Sequence, residues 1–211
     1  MLDTDPRRGR RRPHRARFAR VYLPVVHAYL ATRWRIVRHS VDDAAQDVFV
    51  ECFRSGGLLE KADAERPGGF RAFLLGAVRN VARRHETHKL VAEPMPDHLP
   101  ADDTGPDLAF DKAWVKALLR EAARDQEEAA AKNGPDAIRR VQLLRLRFHE
   151  GLPIRDIAAR WGSDAAKLHH EYAKARDEFH RSLGRVVAFH HPSASVLEVE
   201  QICGEMLKMI G

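Results

Sequence analysis

The chain of 211 residues has only two cysteines, Cys52 and Cys203, and neither belongs to a C-x-x-C pair. A disulfide scaffold or a thiolate zinc ribbon therefore lacks its residues, and a reducing cytoplasm is the expected compartment. Long hydrophobic runs are missing as well. The longest, Phe73-Leu-Leu-Gly-Ala-Val78, falls far short of the roughly 20 residues that cross a bilayer, so no membrane association is expected. There is no run of alternating β-branched residues, which leaves helices as the natural building element and all-α as the fold class. Val21–Val26 follows an arginine-rich start as an export signal would. Arg17, Arg20, Pro24 and His27 interrupt that segment, however, and no small-residue cleavage site is evident.

Hydrophobic residues make up 44% of the chain and charged residues 31%, a balance that suits folded domains rather than wholesale disorder. The net charge of +6 is concentrated at one end. Residues 1–20 carry eight arginines against Asp3 and Asp5, an excess equal to that of the whole chain. Such a segment either contacts phosphate without reading sequence or remains a solvated tail, and charge patterning leaves both readings open. Five segments are expected. Residues 1–17 form a basic disordered arm and 18–88 a first small helical domain. Residues 89–107, with Pro94, Pro96, Pro100, Gly105 and Pro106, form a Pro-rich linker. Residues 108–184 form a second small helical domain, and 185–211 a C-terminal extension with a short helix.

In the first domain, Ser40-Val-Asp-Asp43 fits a capping box. Ala44, Ala45, Val48, Phe49, Cys52 and Phe53 then recur at helical spacing, and Ser55-Gly-Gly57 ends the helix. A further helix from Phe70 to about His88 sets Phe73, Ala77 and Val81, flanked by Leu74 and Val78, against a cationic side of Arg71, Arg79, Arg83 and Arg84. Phe110–Lys132 reads as an amphipathic helix packing beside residues 137–149.

In the second domain, Ala137–His149 is expected to bury Ile138, Val141, Leu144 and Phe148. Pro153–Trp161 forms a short helix with Ile154, Ile157, Ala158 and Trp161 inward. Gly162-Ser163 turns the chain, and Asp164 caps a third helix that buries Leu168, Tyr172, Ala175 and Phe179. Helix, glycine turn, helix is the pattern of a helix-turn-helix unit, whose second helix fits the DNA major groove. Between Arg139 and Arg185 there are eleven basic residues against six acidic ones, which suits that reading. Beyond it, Ser195 is placed to cap a last helix with Val196, Val199, Ile202, Cys203, Met206 and Leu207 on its apolar stripe. That helix either folds back on the second domain, the favoured reading, or docks a partner.

The twelve histidines contain no H-E-x-x-H and no Glu-x-x-His arrangement. Nucleophile-elbow and phosphate-loop motifs are missing too. No enzyme activity, catalytic residue, metal or cofactor is expected.

Two segments taken together resemble a known family. Ser40-Val-Asp-Asp-Ala-Ala-Gln-Asp-Val-Phe-Val-Glu-Cys-Phe-Arg54 and Phe70-Arg-Ala-Phe-Leu-Leu-Gly-Ala-Val-Arg-Asn80 resemble region 2 of bacterial RNA polymerase sigma factors of the extracytoplasmic-function group. Glu150-Gly-Leu-Pro-Ile-Arg-Asp-Ile-Ala-Ala159 and Ala173-Lys-Ala-Arg176 resemble their region 4. The resemblance implies two small helical domains, region 2-like and region 4-like, joined by the linker. It also implies a protein that binds core RNA polymerase and directs it to promoter DNA, with an anti-sigma factor or another regulator as a further partner. By the same resemblance, Asp43, Gln46, Asp47 and Glu51 dock on the polymerase. Arg79, Asn80, Arg83 and Arg84 face the minus-ten element, and the Ser55–Gly69 loop captures an unstacked base. Lys167, His169, His170, Glu171, Lys174 and Arg176 face the minus-thirty-five element, with Arg176 on phosphate. The commonest family pattern has threonine, lysine and arginine where this chain has Lys167, His169 and Glu171. Glu171 can accept from cytosine N4 but repels phosphate. The rival readings are a helix-turn-helix regulator acting without polymerase, whose first domain dimerises or senses, and an adaptor that no longer reads DNA.

Overall fold

The computed structural model describes residues 6–34, 40–54, 69–92 and 104–208, with side chains for 16–34, 40–54, 69–87 and 104–208. Among the described residues the protein is all-α, with eight helices and no strand. These are α1 (Pro6–Arg33), α2 (Val41–Phe53), α3 (Gly69–Ala92), α4 (Thr104–Asn133), α5 (Pro135–Phe148), α6 (Ile154–Trp161), α7 (Ala165–His190) and α8 (Val196–Lys208). None of them is long and apolar enough to cross a membrane.

Two expectations about chain organisation need correction. The arm expected to be disordered is helical from Pro6, residues 1–5 lying outside the described residues. Arginine is a good helix former, and this stretch only has to extend a helix that the core-packed residues after it already nucleate. The expected linker is helical at both ends, with residues 89–92 continuing α3 and residues 104–107 opening α4. Pro106 sits in the first turn of α4, where its missing N–H costs no helical hydrogen bond. Residues 93–103 lie outside the described residues.

The chain forms two compact units, the first comprising residues up to Ala117 together with His190–Ser193. Its core is built from Val25, Val26, Tyr29 and Leu30 of α1, Ala44, Ala45, Val48 and Cys52 of α2, and Leu74, Val78 and Val81 of α3. The sequence pattern placed the start of the second domain at 108. In the structure Phe110 and Trp114 of α4 are buried with the first unit, Trp114 stacking on Tyr22 at 5.4 Å. Phe18 adds a second aromatic node, 5.1 Å from Phe53 and 5.6 Å from Phe70. The Tyr22 hydroxyl and His190 Nε2 share a buried hydrogen bond. Glu86 of α3 accepts a two-pronged pair of hydrogen bonds from Arg33, at 2.5 and 2.9 Å, and a third from the Trp34 indole at 2.9 Å.

The second unit comprises Leu118–Phe189 and Ala194–Gly211. Leu143, Ile154, Ile157, Ala158 and Leu168 form its core cluster, with Trp161 and Tyr172 packed against it. Ala130 of α4 meets Ala137 and Val141 of α5, and the Gln126 amide donates to the Ala175 carbonyl at 3.1 Å. Ile138 and Phe148, expected to be inward, are 41% and 69% exposed. Val141 and Leu144 are buried as expected, and Ala137 and Leu143 take the inward places of the other two. Helix α8 folds back through Val199, Cys203 and Met206, while Val196 and Leu207 of the expected stripe remain exposed. Ser195 and Glu198 cap α8 reciprocally, through Ser195 N–H to Glu198 Oε2 at 2.7 Å and Glu198 N–H to Ser195 Oγ at 3.3 Å.

Candidate nucleic-acid and partner interface

Helix α2 starts where its sequence dictates. Ser40 is extended, and its Oγ accepts the Asp43 N–H at 3.1 Å, satisfying one free amide of the first turn. Because Ala44, Ala45, Val48 and Cys52 are buried, Asp43, Gln46 and Asp47 are turned to solvent. Glu51 is half-buried. These four residues do not form a free acidic face. Asp47 meets His85 Nε2 at 2.8 Å and Glu51 is ion-paired with Arg84, so two of the carboxylates tie α2 to α3. Asp42, which was not singled out, lies 3.4 Å from His27.

On α3, burial of Leu74, Ala77, Val78, Val81 and Ala82 leaves Asn80, Arg83, Arg84 and Thr87 as an exposed row at i, i+3, i+4 and i+7. Asn80 is a neutral amide, and Arg83 makes no ion pair among the described residues. Arg79 is half-buried and ion-paired with Asp107, and Arg71 pairs in the same way with Asp111. Both acids come from the first turns of α4, beyond the motif that drew attention to the arginines. The expected Ser55–Gly69 loop falls, but for Gly69 in α3, outside the described residues.

The second unit supplies the other face. Gly162 ends α6 in the left-handed region at φ 58°, the N–H of Ser163 donates to Ala158 O at 2.9 Å, and the chain turns at once into α7. Asp164 caps α7 by accepting the Lys167 N–H at 2.8 Å. With Leu168 and Ala175 buried, Lys167, His170 and Lys174 form one exposed row, and His169 and Arg176 a second beside it. Arg176 lies 5.9 Å from the Tyr172 ring centre.

No protein-family model, curated protein or solved structure matches this chain.

Glu171 departs most from its expected role. Its carboxylate is half-buried, 3.2 Å from Arg140 Nη1 and 3.1 Å from Lys174 Nζ. Arg140 in turn donates Nε to both oxygens of Glu178 at 2.9 and 3.0 Å. The hydrogen bond from Lys174, then that from Arg140, holds the Glu171 carboxyl below the usual carboxylate range against the opposing effect of burial. Glu171 therefore pins α7 to α5, and a cytosine amino group would have to compete with two cations already in place. Arg139 was missed altogether. Its guanidinium lies 4.7 Å from the Trp161 ring centre, beside a cavity of about 200 Å³. Only the excess of basic residues between Arg139 and Arg185 hinted at it, because a contact between α5 and the end of α6 leaves no periodic trace in sequence.

Proposed function

We propose that this chain is a transcription-initiation factor of the extracytoplasmic-function sigma type. It would bind core RNA polymerase through its first unit and promoter DNA through both. The observation that carries the reading is α7. A helix held by a capped glycine turn over a buried apolar floor presents Lys167, His169, His170, Lys174 and Arg176 outward, the chemistry needed for phosphate and base-edge contact in a major groove. The Asn80–Arg83–Arg84 row on α3 supports it, since cations hold phosphates while an amide can bond to a base edge. In this reading the first unit, up to Ala117, carries the region 2-like part and the second unit, from Leu118, carries the region 4-like helix-turn-helix. The chain acts in the cytoplasm, without enzymatic activity of its own, and an anti-sigma factor is a natural regulator.

The experiment is reconstitution. Purified chain and core polymerase should co-migrate, and the complex should give discrete run-off transcripts from promoters mapped after overexpression. Failure to associate with core would overturn the proposal.

One observation favours a second reading, a helix-turn-helix regulator that binds DNA without polymerase. The α2 carboxylates assigned to polymerase docking are partly consumed by His85 and Arg84, which leaves Asp43 and Gln46 as the unspent groups. Sequence-specific footprints obtained without core polymerase, with no core-dependent transcription, would select that alternative.

A further inference from the structure

We propose that the cavity between α5 and the start of α7 is an oxyanion site that takes a single phosphoryl group. The site is independent of the polymerase reading, because it needs only the second unit's own helices. Its cavity of about 200 Å³ is lined by Asp136, Arg139, Trp161, Lys167, Glu171 and Lys174, among others.

The charges around it are not equivalent. Glu171 already neutralises Lys174 and shares Arg140 with Glu178, so this group is internally balanced. Arg139 and Lys167 make no ion pair among the described residues. They stand on two different helices and line the same cavity, one an arginine fork and the other a lysine point charge. Such a pair suits a tetrahedral anion with several oxygens.

Two further features narrow the ligand. A guanidinium over an indole spends its face on the ring and keeps its in-plane N–H groups for an anion. Trp161 is also packed against the Leu143–Ile157–Leu168 cluster, which, with Arg139 over its ring, leaves less of the indole for a nucleobase. Lys167 lies in the first turn of α7, where the helix dipole adds positive potential. Asp164 already occupies that helix end, so the site rests on side chains rather than on free amides. Asp136, in the first turn of α5, is the one unpaired carboxylate on the lining and opposes the anion.

The phosphoryl group has two possible sources, a nucleic-acid backbone or a free phosphate ester. The test titrates the full chain with inorganic phosphate and separately with a short DNA duplex, by calorimetry, with the Trp161 indole signal followed by NMR. Sodium chloride at matched ionic strength is the control. Phosphate should move the Trp161 signal saturably while chloride does not. Arg139→Gln combined with Lys167→Gln should weaken phosphate binding at least tenfold, and Asp136→Asn should tighten it several-fold while circular dichroism stays native. Equal, non-saturating drift with phosphate and chloride, or unchanged phosphate affinity in all variants, would overturn the proposal. The duplex arm identifies the source. A salt-dependence slope that falls by about 1–2 in the double variant assigns the site to backbone phosphate. An unchanged slope with phosphate binding lost assigns it to a free ester. Neither arm contains polymerase, so this test can fail while the sigma-type reading stands, and the reverse.

Discussion

Replacing Arg140 by methionine tests whether the second unit is held by charge at the point where its outward helix meets α5. Arg140 is 16% exposed and its partners Glu171 and Glu178 are 27% and 23% exposed, so the three groups are largely withdrawn from water. The substitution keeps the aliphatic stem but removes four charge-assisted contacts, three to Glu178 and one to Glu171, leaving two half-buried carboxylates of which only Glu171 retains a cation, Lys174. A hydrogen bond to a charged group contributes about 1.5–3 kcal/mol, and breaking a buried pair costs about 3–5. Residual exposure lets water solvate part of the loss, which brings the expected destabilisation to about 2–3 kcal/mol. With a urea dependence of about 2 kcal/mol per molar, the midpoint should fall by about 1 M. Acid adds a second readout. The carboxyl of Glu171 is lowered in the fold, so its contribution is fully present above the ordinary carboxylate range and is lost as pH falls through the lowered value. Arg140 is raised from an already high value and stays charged throughout. Lys174 remains in the variant and keeps its larger share of that lowering, so only the share owed to Arg140 is lost: the gap should be full at pH 7 and shrink as acid protonates the carboxylates. Urea titration followed by circular dichroism at pH 7 and in acid reads it. A variant within about 0.5 kcal/mol of wild type at pH 7, or a gap that ignores acid, would refute the reasoning.

Three further outcomes are expected. Replacing Asn80 and Arg83 together by alanine should reduce promoter opening at least tenfold, measured by permanganate reactivity of the melted strand, with core binding unchanged; a loss of core binding would show that this face meets protein instead. Gly162→Ala should destabilise the second unit by about 1 kcal/mol in urea titration, because the left-handed conformation at φ 58° now carries a Cβ, although nothing else crowds the position. Cys52 and Cys203 are both buried, and burial pushes the Cys52 thiol up to about 11, with Glu51 adding to the rise. Dithionitrobenzoate should therefore modify native protein far more slowly than urea-unfolded protein, and fast labelling of both thiols in native protein would contradict the burial.

What could be read from residues alone was whatever obeys a local period or a cap. Ser40 before Asp43, Gly162 before Asp164, and the 44–45–48–52 stripe all produce their structure through neighbours within one or two turns. Contacts made across the chain were not legible. Nothing adjacent to Arg79 announces Asp107, 28 residues away, and nothing adjacent to Glu171 announces Arg140, 31 residues away. The face of α5 was misjudged for a related reason. Ile138 and Phe148 are at least as apolar as Ala137 and Leu143, which lie inside, and it is α4 over Ala137 and α6 and α7 over Leu143 that decide which ridge is covered. Residues 6–17 were misread because charge density says how a segment interacts with solvent, whereas its helicity came from the packed helix that follows.

The sealed state of Cys52 has a consequence for how such a protein can be switched. With its ionisation near 11, only about one molecule in ten thousand carries the thiolate at pH 7, and peroxide attacks the thiolate form. Burial and the scarcity of thiolate would slow the oxidation of Cys52 strongly while the fold is intact. Any oxidant signal read by the folded protein therefore has to enter at a position other than Cys52.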